Sequence, residues 1–408
     1  MKNSVTKSSE WQKIRLRFLL NNYRSDEEIN RLKQSNDVTF LPMESVGERG
    51  GLDLSVIRPK SEVESGYTLF FDQDVLIAKI TPCFENGKGA LAKDLFGGIG
   101  YGTTELYVLN SGSELLPEFL FYLTISDDFR INGEAAMKGA AGQKRVPNEF
   151  IQNFRVRLPS LDIQQKISDY LDRETTQIDN LIAAKEQMLT LLKEKREALI
   201  SHAVTRGLDP NVAFKRSGLD WLGDIPQHWE VKKLGYLSSL KSGDTITADT
   251  IAKHGMYPVY GGNGLRGYTD SFTHSGNYVL IGRQGALCGN INYAHGEFWA
   301  SEHAVVVTPL EKCDYRWLGE SLRNMNLNQY SLSAAQPGIA IDRISALKIA
   351  VPPFEEQQLI TGYLDQETSK IDGLLSAIKE SIALLKERRS ALITAAVTGQ
   401  IILEEMTS

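Results

Sequence analysis

Several features that mark particular protein classes are missing from this sequence of 408 residues. No apolar run reaches the roughly 18 residues that a membrane helix needs, and residues 1–13 are too polar for a secretory signal. The three cysteines, Cys83, Cys288 and Cys313, have neither the spacing of a zinc site nor that of a disulfide framework. The sequence therefore predicts a cytoplasmic protein of two or three domains, since a domain averages about 150 residues.

Complete catalytic motifs are also missing. Residues 94–100 resemble the glycine loop of a cytosine-5 methyltransferase, but Cys83 and Glu85, which would supply its nucleophile and acid, precede that loop. Residues 351–354 resemble the catalytic loop of adenine methyltransferases, yet Val351 stands where that loop needs Asn or Asp. There is no Walker A loop for nucleotide phosphates. We therefore expect no catalytic residue, no metal site and no cofactor in this chain.

The chain has no excess of positive charge. Its 45 Lys and Arg residues are outnumbered by 51 Asp and Glu residues, which gives a net charge of -6. Because Lys and Arg drive phosphate binding, this balance argues mildly against a nucleic-acid partner. A DNA-binding role would require that the basic residues be concentrated locally, or that a more basic partner share the DNA.

An internal repeat organises the chain. Residues 164–205 align without a gap to residues 357–398, at a constant offset of 193, and 23 of the 42 positions are identical. The first copy contains neither Gly nor Pro, and its apolar residues follow a three-four spacing, which predicts a long helix. Such a stripe is narrow and is typical of a coiled-coil seam. Each copy is therefore predicted to be a helix of roughly 60 Å.

The two predicted helices can bury their seams against each other. We expect antiparallel packing, because a compact region returns the chain between the two copies. The residues expected at the seam are Ile178, Leu181, Leu192, Ile371, Leu374 and Leu385.

The two remaining regions have a different character. Both are rich in Gly, Thr, Tyr and Val and contain short alternating runs, which predict strands at 74–78, 106–109, 278–281 and 304–307. Shorter helices are expected at 116–124 and 317–325. The fold class predicted is α+β, with two globular α/β domains separated by two long helices packed as an antiparallel coiled coil. The predicted bounds are 1–158, 159–210, 211–351 and 352–408.

These two regions are alike only at their edges. Residues 11–16 resemble residues 229–234, and residues 141–146 correspond to residues 334–339 on the same offset of 193. No convincing alignment joins the stretches in between. Similar helices thus alternate with divergent domains. This arrangement is expected of a protein whose helices form a constant frame while its two domains recognise different ligands.

Particular strings carry a family resemblance. They lie at residues 74–88, 257–268, 279–285 and 217–223, and the proline and Gln-Gln openings of the two helices accompany them. In order and spacing the whole chain resembles the specificity subunit of type I restriction-modification systems. The resemblance implies two target recognition domains, each reading one half of a gapped double-stranded DNA site. It also implies that the helices space the readers and dock two methyltransferase subunits.

The same resemblance implies further partners. The methyltransferase subunits would bind S-adenosylmethionine and methylate adenine, and motor-nuclease subunits would complete the enzyme. No membrane partner is expected. The candidates for DNA contact are basic or amide residues in glycine-rich segments, namely Lys79, Asn86, Lys88, Gln143, Lys144, Arg145, Asn263, Arg266, Arg283, Gln284 and Gln336.

Residue chemistry suggests how these candidates divide. Arg reads guanine and Asn or Gln reads adenine in the major groove, whereas Lys more often holds phosphate. Two other functions remain open at this point. One is an adaptor that binds proteins through its two domains, which the net acidic charge slightly favours. The other is an autonomous methyltransferase, which the incomplete motifs disfavour.

Overall fold

The computed structural model divides into two units. Unit 1 consists of residues 1–186 and 379–408, and unit 2 consists of residues 187–378. Within the described residues, no helix is both long and apolar enough to cross a membrane. The structure describes residues 11–140, 142–219, 221–285, 287–331 and 338–406.

Unit 1 contains small sheets and short helices. Its strands are β1 Gln12–Arg15, β2 Asp37–Leu41, β3 Ile57–Pro59, β4 Thr68–Phe71, β5 Val75–Ala78, β6 Gly89–Leu91, β7 Ile99–Gly102, β8 Leu106–Leu109, β9 Lys138–Ala140, β10 Gln143–Arg145 and β11 Arg155–Leu158. Its helices before the repeat are α1 Asp26–Gln34, α2 Lys60–Val63, α3 Pro117–Ile125, α4 Asp127–Ala136 and α5 Asn148–Asn153. The predicted strands at 74–78 and 106–109 and the predicted helix at 116–124 are confirmed as β5, β8 and α3.

The sheets of unit 1 have the orders β3-β2-β7-β4 and β6-β5-β8. Strand β5 is apolar and fully buried along its length, so it lies in the middle of the unit. Its central residues Leu76 and Ile77 have no exposed surface. Burying one such side chain contributes roughly 1.5–3 kcal/mol. This rigid strand determines where the segment that follows it, starting at Lys79, leaves the core.

Unit 2 is built around a larger sheet. Its strands are β12 Phe214–Arg216, β13 Asp224–Pro226, β14 Glu230–Lys233, β15 Ser238–Ser242, β16 Tyr257–Gly261, β17 Gly264–Thr269, β18 His274–Gly282, β19 Ile291–Ala300, β20 Ala304–Pro309 and β21 Lys348–Val351. Its short helices are α7 Leu234–Leu237, α8 Tyr315–Asn324 and α9 Ile341–Ser345. The main sheet has the order β15-β20-β18-β19-β16-β17. The predicted strands at 278–281 and 304–307 and the predicted helix at 317–325 correspond to β18, β20 and α8.

Both units join their two ends in the same way. In unit 1, β1 pairs antiparallel with β11, and in unit 2, β14 pairs antiparallel with β21. A fully buried leucine follows the first strand of each pair, Leu16 in unit 1 and Leu234 in unit 2. The resemblance between residues 11–16 and 229–234 therefore reflects an equivalent structural position. That position is the first strand of each pair, whose partner is the strand immediately before the long helix.

The two repeats form long helices, α6 Leu161–Arg206 and α10 Phe354–Val397. A short helix α11, Leu403–Met406, follows. In unit 1, Ile167 of α6 shares a core with Ile393 of α10, while the later residue Asp179 pairs with the earlier residue Arg389. The two helix segments of unit 1 therefore run antiparallel, as predicted.

Unit 2 repeats that arrangement. Ile200 and Val204 of α6 share a core with Ile360 and Leu364 of α10. Toward the middle of both helices, Arg196 pairs with Asp372. Residue numbers again rise along one segment while they fall along the other, so the two segments are antiparallel here too.

A repeated glutamine ties each helix to its own domain. Gln164 is fully buried, and its side chain donates to the carbonyls of Pro159 and Glu114, both at 2.9 Å. Gln357, on the offset of 193, donates to Pro352 O at 3.0 Å and accepts from Asp314 N at 2.9 Å. Because a buried amide without partners costs about 1–3 kcal/mol, both glutamines hold the helix start firmly.

The predicted seam needs one correction. Ile178 and Ile371 are buried and Leu192 and Leu385 are half-buried, but Leu181 and Leu374 are 46% and 49% exposed. Their neighbours Ile182, which is buried, and Leu375, which is half-buried, take the seam positions instead. The seam residues follow an alternating four-three spacing and are Ile178, Ile182, Lys185, Leu189, Leu192, Arg196 and their repeats Ile371, Leu375, Ile378, Ile382, Leu385, Arg389.

Candidate nucleic-acid interface

A short backbone frame organises the predicted site of unit 1. The chain leaves strand β5 at Lys79, whose N–H donates to Glu105 O at 2.9 Å and whose carbonyl accepts from Val146 N at 2.8 Å. The ammonium of Lys79 lies 5.2 Å from the ring centre of Tyr107, and the Tyr107 hydroxyl donates to Val146 O. Three separate segments thus meet at Lys79, and two of them contain predicted DNA-contact residues.

Unit 2 contains the same frame. The chain leaves strand β18 at Arg283, whose N–H donates to His303 O at 2.9 Å and whose carbonyl accepts from Ile339 N at 3.0 Å. Ile339 is the repeat equivalent of Val146, since their numbers differ by 193. Lys79 and Arg283 therefore occupy equivalent positions, although their own numbers differ by 204.

The basic residues of unit 1 lie on a protruding hairpin. Strands β9 and β10 pair antiparallel, and every side chain of both is exposed. Gly142 of the turn has a φ of +79°, which suits glycine. Strand β10 contains Gln143, Lys144 and Arg145, and Arg145 forms a bridge with Ile80. Thr81 N also donates to Lys144 O at 3.0 Å, so strand β10 runs along the segment that starts at Lys79.

Arg145 is held in a defined orientation. Its Nε donates to Oε2 of Glu105 at 3.0 Å and its Nη2 donates to Oε1 at 2.7 Å. The hydrogen bond from Arg145 lowers the pKa of Glu105, so this carboxylate is charged at neutral pH. Lys144, by contrast, is exposed, and no acidic partner contacts its side chain in the described residues.

The remaining two candidates of unit 1 lie on the loop at 81–88. Asn86 is exposed, and its amide donates to Glu48 Oε1 at 3.2 Å. Lys88 is half-buried, and its ammonium donates to Met43 O at 2.9 Å, a contact that holds the loop. Lys88 therefore has a structural contact that the sequence did not indicate.

A buried arginine supports the same loop. Arg130 of helix α4 donates to the carbonyls of Thr124 at 2.7 Å, Phe84 at 3.0 Å and Gly87 at 3.3 Å. Burial lowers the pKa of Arg130 to about 9, so its guanidinium remains charged at neutral pH. Sequence reasoning missed this residue. The only signal is an Arg beside Phe129, and that neighbour does not distinguish a buried Arg from a surface one.

The candidates of unit 2 lie on neighbouring loops. Gln284 is exposed, and its Oε1 lies 3.1 Å from Nδ1 of His303. Arg283 is half-buried and donates to Ser242 Oγ at 2.9 Å. Asn263 is exposed after strand β16, and Asn290 donates to its amide oxygen at 3.5 Å.

The loop that contains Asn263 lies against the Gln284 segment. A Cβ added to Gly262 would lie 3.1 Å from His303 O and 3.3 Å from Gln284 O, so no larger residue fits there without movement. Arg266 is exposed on strand β17, and its Cδ lies over Gly261. Gln336 lies outside the described residues, but the nearby Gly338 bridges Gln284.

The chemistry of the site is therefore that of a contact surface. Charged and amide side chains are presented on a rigid frame, and their N–H groups suit phosphate and base edges. Within the described residues, no cluster of three or more His, Cys, Asp or Glu side chains is arranged to hold a metal ion.

Comparisons with known proteins agree on one family. A family model described as the type I restriction modification DNA specificity domain matches residues 9–191 and 226–384. The type I restriction enzyme EcoprrI specificity subunit of Escherichia coli is 42% identical over 153 residues, which are 36% of this chain and 37% of that protein. The EcoEI specificity subunit of the same organism is 39% identical over 158 residues, 38% of this chain and 26% of that protein. The matched stretches thus cover well under half of either relative.

Two solved structures share the fold along nearly the whole chain. A chain solved in work on complex assembly and conformational transition of the type I R-M system has a TM-score of 0.76 at 20% identity. That similarity covers 96% of this chain and 98% of the other. The HsdS subunit from Thermoanaerobacter tengcongensis has a TM-score of 0.55 at 20% identity, covering 96% and 97%.

Proposed function

Because this chain belongs to the type I restriction modification DNA specificity family, we propose that each of its two units reads one half of a bipartite, gapped DNA site. Its relatives are named specificity subunits, and we propose that this chain is likewise a specificity subunit that does not itself catalyse. Catalysis then resides in partner subunits. The partners proposed are methyltransferase subunits, which bind S-adenosylmethionine and methylate adenine, and motor-nuclease subunits. We further propose that the complex acts in the cytoplasm.

One observation carries this proposal. Both units build the same backbone frame, with Val146 N bonded to Lys79 O in unit 1 and Ile339 N bonded to Arg283 O in unit 2. The sequences at this frame differ, because unit 1 has the basic pair Lys144 and Arg145 and the positions 193 residues later are Pro337-Gly338. A constant frame with different side chains is what two readers of different half-sites require.

The net acidic charge of the chain is compatible with this function. The exposed hairpin β9–β10 contains Lys138 and Lys144 within seven residues, in addition to Arg145, whose charge is paired with Glu105. Neutralisation of phosphates depends on the local density of such groups and not on the net charge of the chain. The methyltransferase subunits are proposed to share the DNA and to add further contacts.

Exposed leucines on the helices support the docking of methyltransferase subunits. Leu181 and Leu384 are 46% and 58% exposed in unit 1, and Leu374 and Leu191 are 49% and 56% exposed in unit 2. Leu181 and Leu374 are repeat equivalents, and so are Leu191 and Leu384. Large exposed apolar side chains on a helix are candidates for a protein interface. We propose that each unit docks one methyltransferase subunit through its leucine pair.

Selection from a randomised DNA library tests the reading function. The chain is mixed with the library in the presence and in the absence of its methyltransferase partner, and the bound duplexes are sequenced. The proposal predicts a consensus of two short blocks separated by a gap of constant length. Binding of a protein partner with no preference for any duplex would instead support an adaptor and would refute the proposal.

Native mass spectrometry of the assembled complex tests the docking. The double change Leu181→Glu and Leu384→Glu should reduce the number of methyltransferase subunits per chain from two to one, because each unit docks its own. The matched control Gln177→Glu adds a negative charge at an exposed position of the same helix and should leave two bound. Two bound subunits in the double variant would show that these leucines do not form the interface.

A further inference from the structure

Glu105 and His303 occupy one equivalent position in the two units. Each is the residue immediately before the strand that pairs antiparallel with the strand leading into the frame, β8 beside β5 in unit 1 and β20 beside β18 in unit 2. The carbonyl of Glu105 accepts from Lys79 N and that of His303 accepts from Arg283 N, both at 2.9 Å. The equivalence thus rests on backbone hydrogen bonds and not on sequence similarity.

The turn before each of these residues is also shared. Glu105 N donates to the hydroxyl of Thr103 at 3.3 Å, and His303 N donates to the hydroxyl of Ser301 at 3.4 Å. These short turns limit the backbone freedom of the two positions. A side chain attached there leaves the frame in a defined direction.

Each of these side chains contacts a residue that was predicted to contact DNA. Glu105 binds Arg145, and His303 lies 3.1 Å from Gln284. The two pairs share no residue type, and their partners lie on facing segments of the frame: Arg145 immediately precedes Val146, whereas Gln284 immediately follows Arg283. A position that contacts a reader side chain in two divergent units is suited to orient that side chain.

The geometry in unit 1 identifies which edge of Arg145 is available. Glu105 accepts from Nε and Nη2, which is the side edge of the guanidinium. Arg has five N–H donors in a planar fork, so both hydrogens of Nη1 and one of Nη2 stay unused by this pair. These end-on donors match the O6 and N7 acceptors of guanine in the major groove.

We propose that Glu105 is a positioning residue that presents the end-on edge of Arg145 to a guanine in the first half-site. This inference rests on the proposed function. The carboxylate holds the plane of the guanidinium, so less side-chain entropy is lost when the base is bound. Glu105 itself does not contact the base. Because the ion pair is partly exposed, it orients the Arg145 guanidinium but adds little to folding stability.

Four substitutions test the inference in the complex of the full chain with its methyltransferase partner, and one of them, Glu105→Asp, keeps the carboxylate as a control. Glu105→Gln removes the charge that holds the fork, Arg145→Lys keeps the positive charge but loses the fork, and His303→Ala changes the equivalent position of unit 2. For each, a library selection gives the consensus, and affinities are measured for the target and for single-base variants across salt concentrations.

The inference predicts that wild type prefers guanine at one position of the first half-site by about tenfold or more. Both Glu105→Gln and Arg145→Lys should lower that preference severalfold. They should leave the salt slope unchanged, because no phosphate contact is lost. Glu105→Asp, which keeps the carboxylate, should restore part of the preference. His303→Ala should leave the first half-site unchanged.

The failures are distinguishable. A wild-type complex with no consensus at all would refute the proposed function. A bipartite wild-type consensus that Glu105→Gln or Arg145→Lys leaves intact would refute the positioning role alone. Tighter binding of Glu105→Gln to every sequence would show that Glu105 competes with DNA for Arg145, which also overturns the inference.

Discussion

Two arginines of unit 1 have the same side chain but different structural roles. Arg130 is buried and donates to backbone carbonyls beneath the loop at 81–88. Arg145 is exposed on the hairpin and contacts only one carboxylate among the described residues. The sequence favoured the second as a DNA contact because it lies beside Lys144 and a glycine. It contains no comparable signal for the first, since burial of an arginine depends on carbonyls contributed by distant segments.

Replacement of Arg130 should destabilise the loop that contains Asn86. Arg130→Met keeps an apolar stem but removes the side-chain donor to the carbonyls of Thr124, Phe84 and Gly87. Phe84 O keeps its bond from Gly87 N, so the change should cost about 1–3 kcal/mol. Hydrogen exchange measured by mass spectrometry should show lost protection in residues 84–88. The control Arg157→Met, at an exposed position of strand β11, should change neither the stability nor the protection of residues 84–88. Unchanged protection in Arg130→Met would mean that the loop holds its shape without this residue.

Lysines at two predicted contact positions should behave differently. Lys144 is exposed without an acidic partner in the described residues, so Lys144→Ala should weaken binding to all sequences and lower the salt slope by about one unit. Lys88 donates to Met43 O, so Lys88→Ala should leave the slope unchanged. The measurement is the affinity of the complex for its target as a function of salt. Equal slopes for the two variants would remove this distinction.

At the scale of elements, the long helices were predictable and their seam was not fully so. The offset of 193 and the three-four spacing predicted two long helices, and the compact region between them predicted their antiparallel packing, which both units confirm. Residues 181–182 and 374–375 are each two adjacent apolar residues, and either member fits a three-four pattern. The structure distinguishes them: Lys185 and Leu189 are half-buried and continue the four-three spacing from Ile182, so Ile182 is the seam residue. The apolar pattern alone did not reveal that a lysine and an arginine belong to the seam.

The interhelical ion pairs offer an internal comparison. Asp179–Arg389 and Asp372–Arg196 are repeat equivalents, but Arg389 is only 8% exposed and also donates to Arg49 O at 2.9 Å. The second pair is more exposed, since about half of the Asp372 side chain is accessible to solvent. A buried charge that loses its partner costs far more than a solvated one.

Removal of the two aspartates should therefore have unequal effects. Asp179→Asn should destabilise the helix pair of unit 1 by about 1–3 kcal/mol, whereas Asp372→Asn should cost under about 1 kcal/mol in unit 2. Hydrogen exchange reads the two units separately in the same full chain, so each variant serves as control for the other. A larger loss of protection from Asp372→Asn would contradict the reasoning from burial.

On the scale of the whole molecule, the sequence predicted two domains and two helices but not the correspondence between the sites. The strands at 74–78 and 278–281 were predicted from their apolar character. Their equivalence was hidden, because Lys79 and Arg283 differ by 204 and not by 193. Divergent loops between them shift the numbering, and only the hydrogen bonds to Val146 and Ile339 restore the register. Glu105 and His303 were missed for the same reason.

The central claim is that the two units read two half-sites independently. Exchange of residues 1–158 for the first domain of another family member tests it, since the helix that follows this region is alike in sequence and packing in the two repeats. The chimaera is assembled with its methyltransferase partner, and its consensus is determined from a randomised library. The account predicts that the first block of the consensus changes while the second block stays the same. A change in both blocks, or in neither, would contradict it.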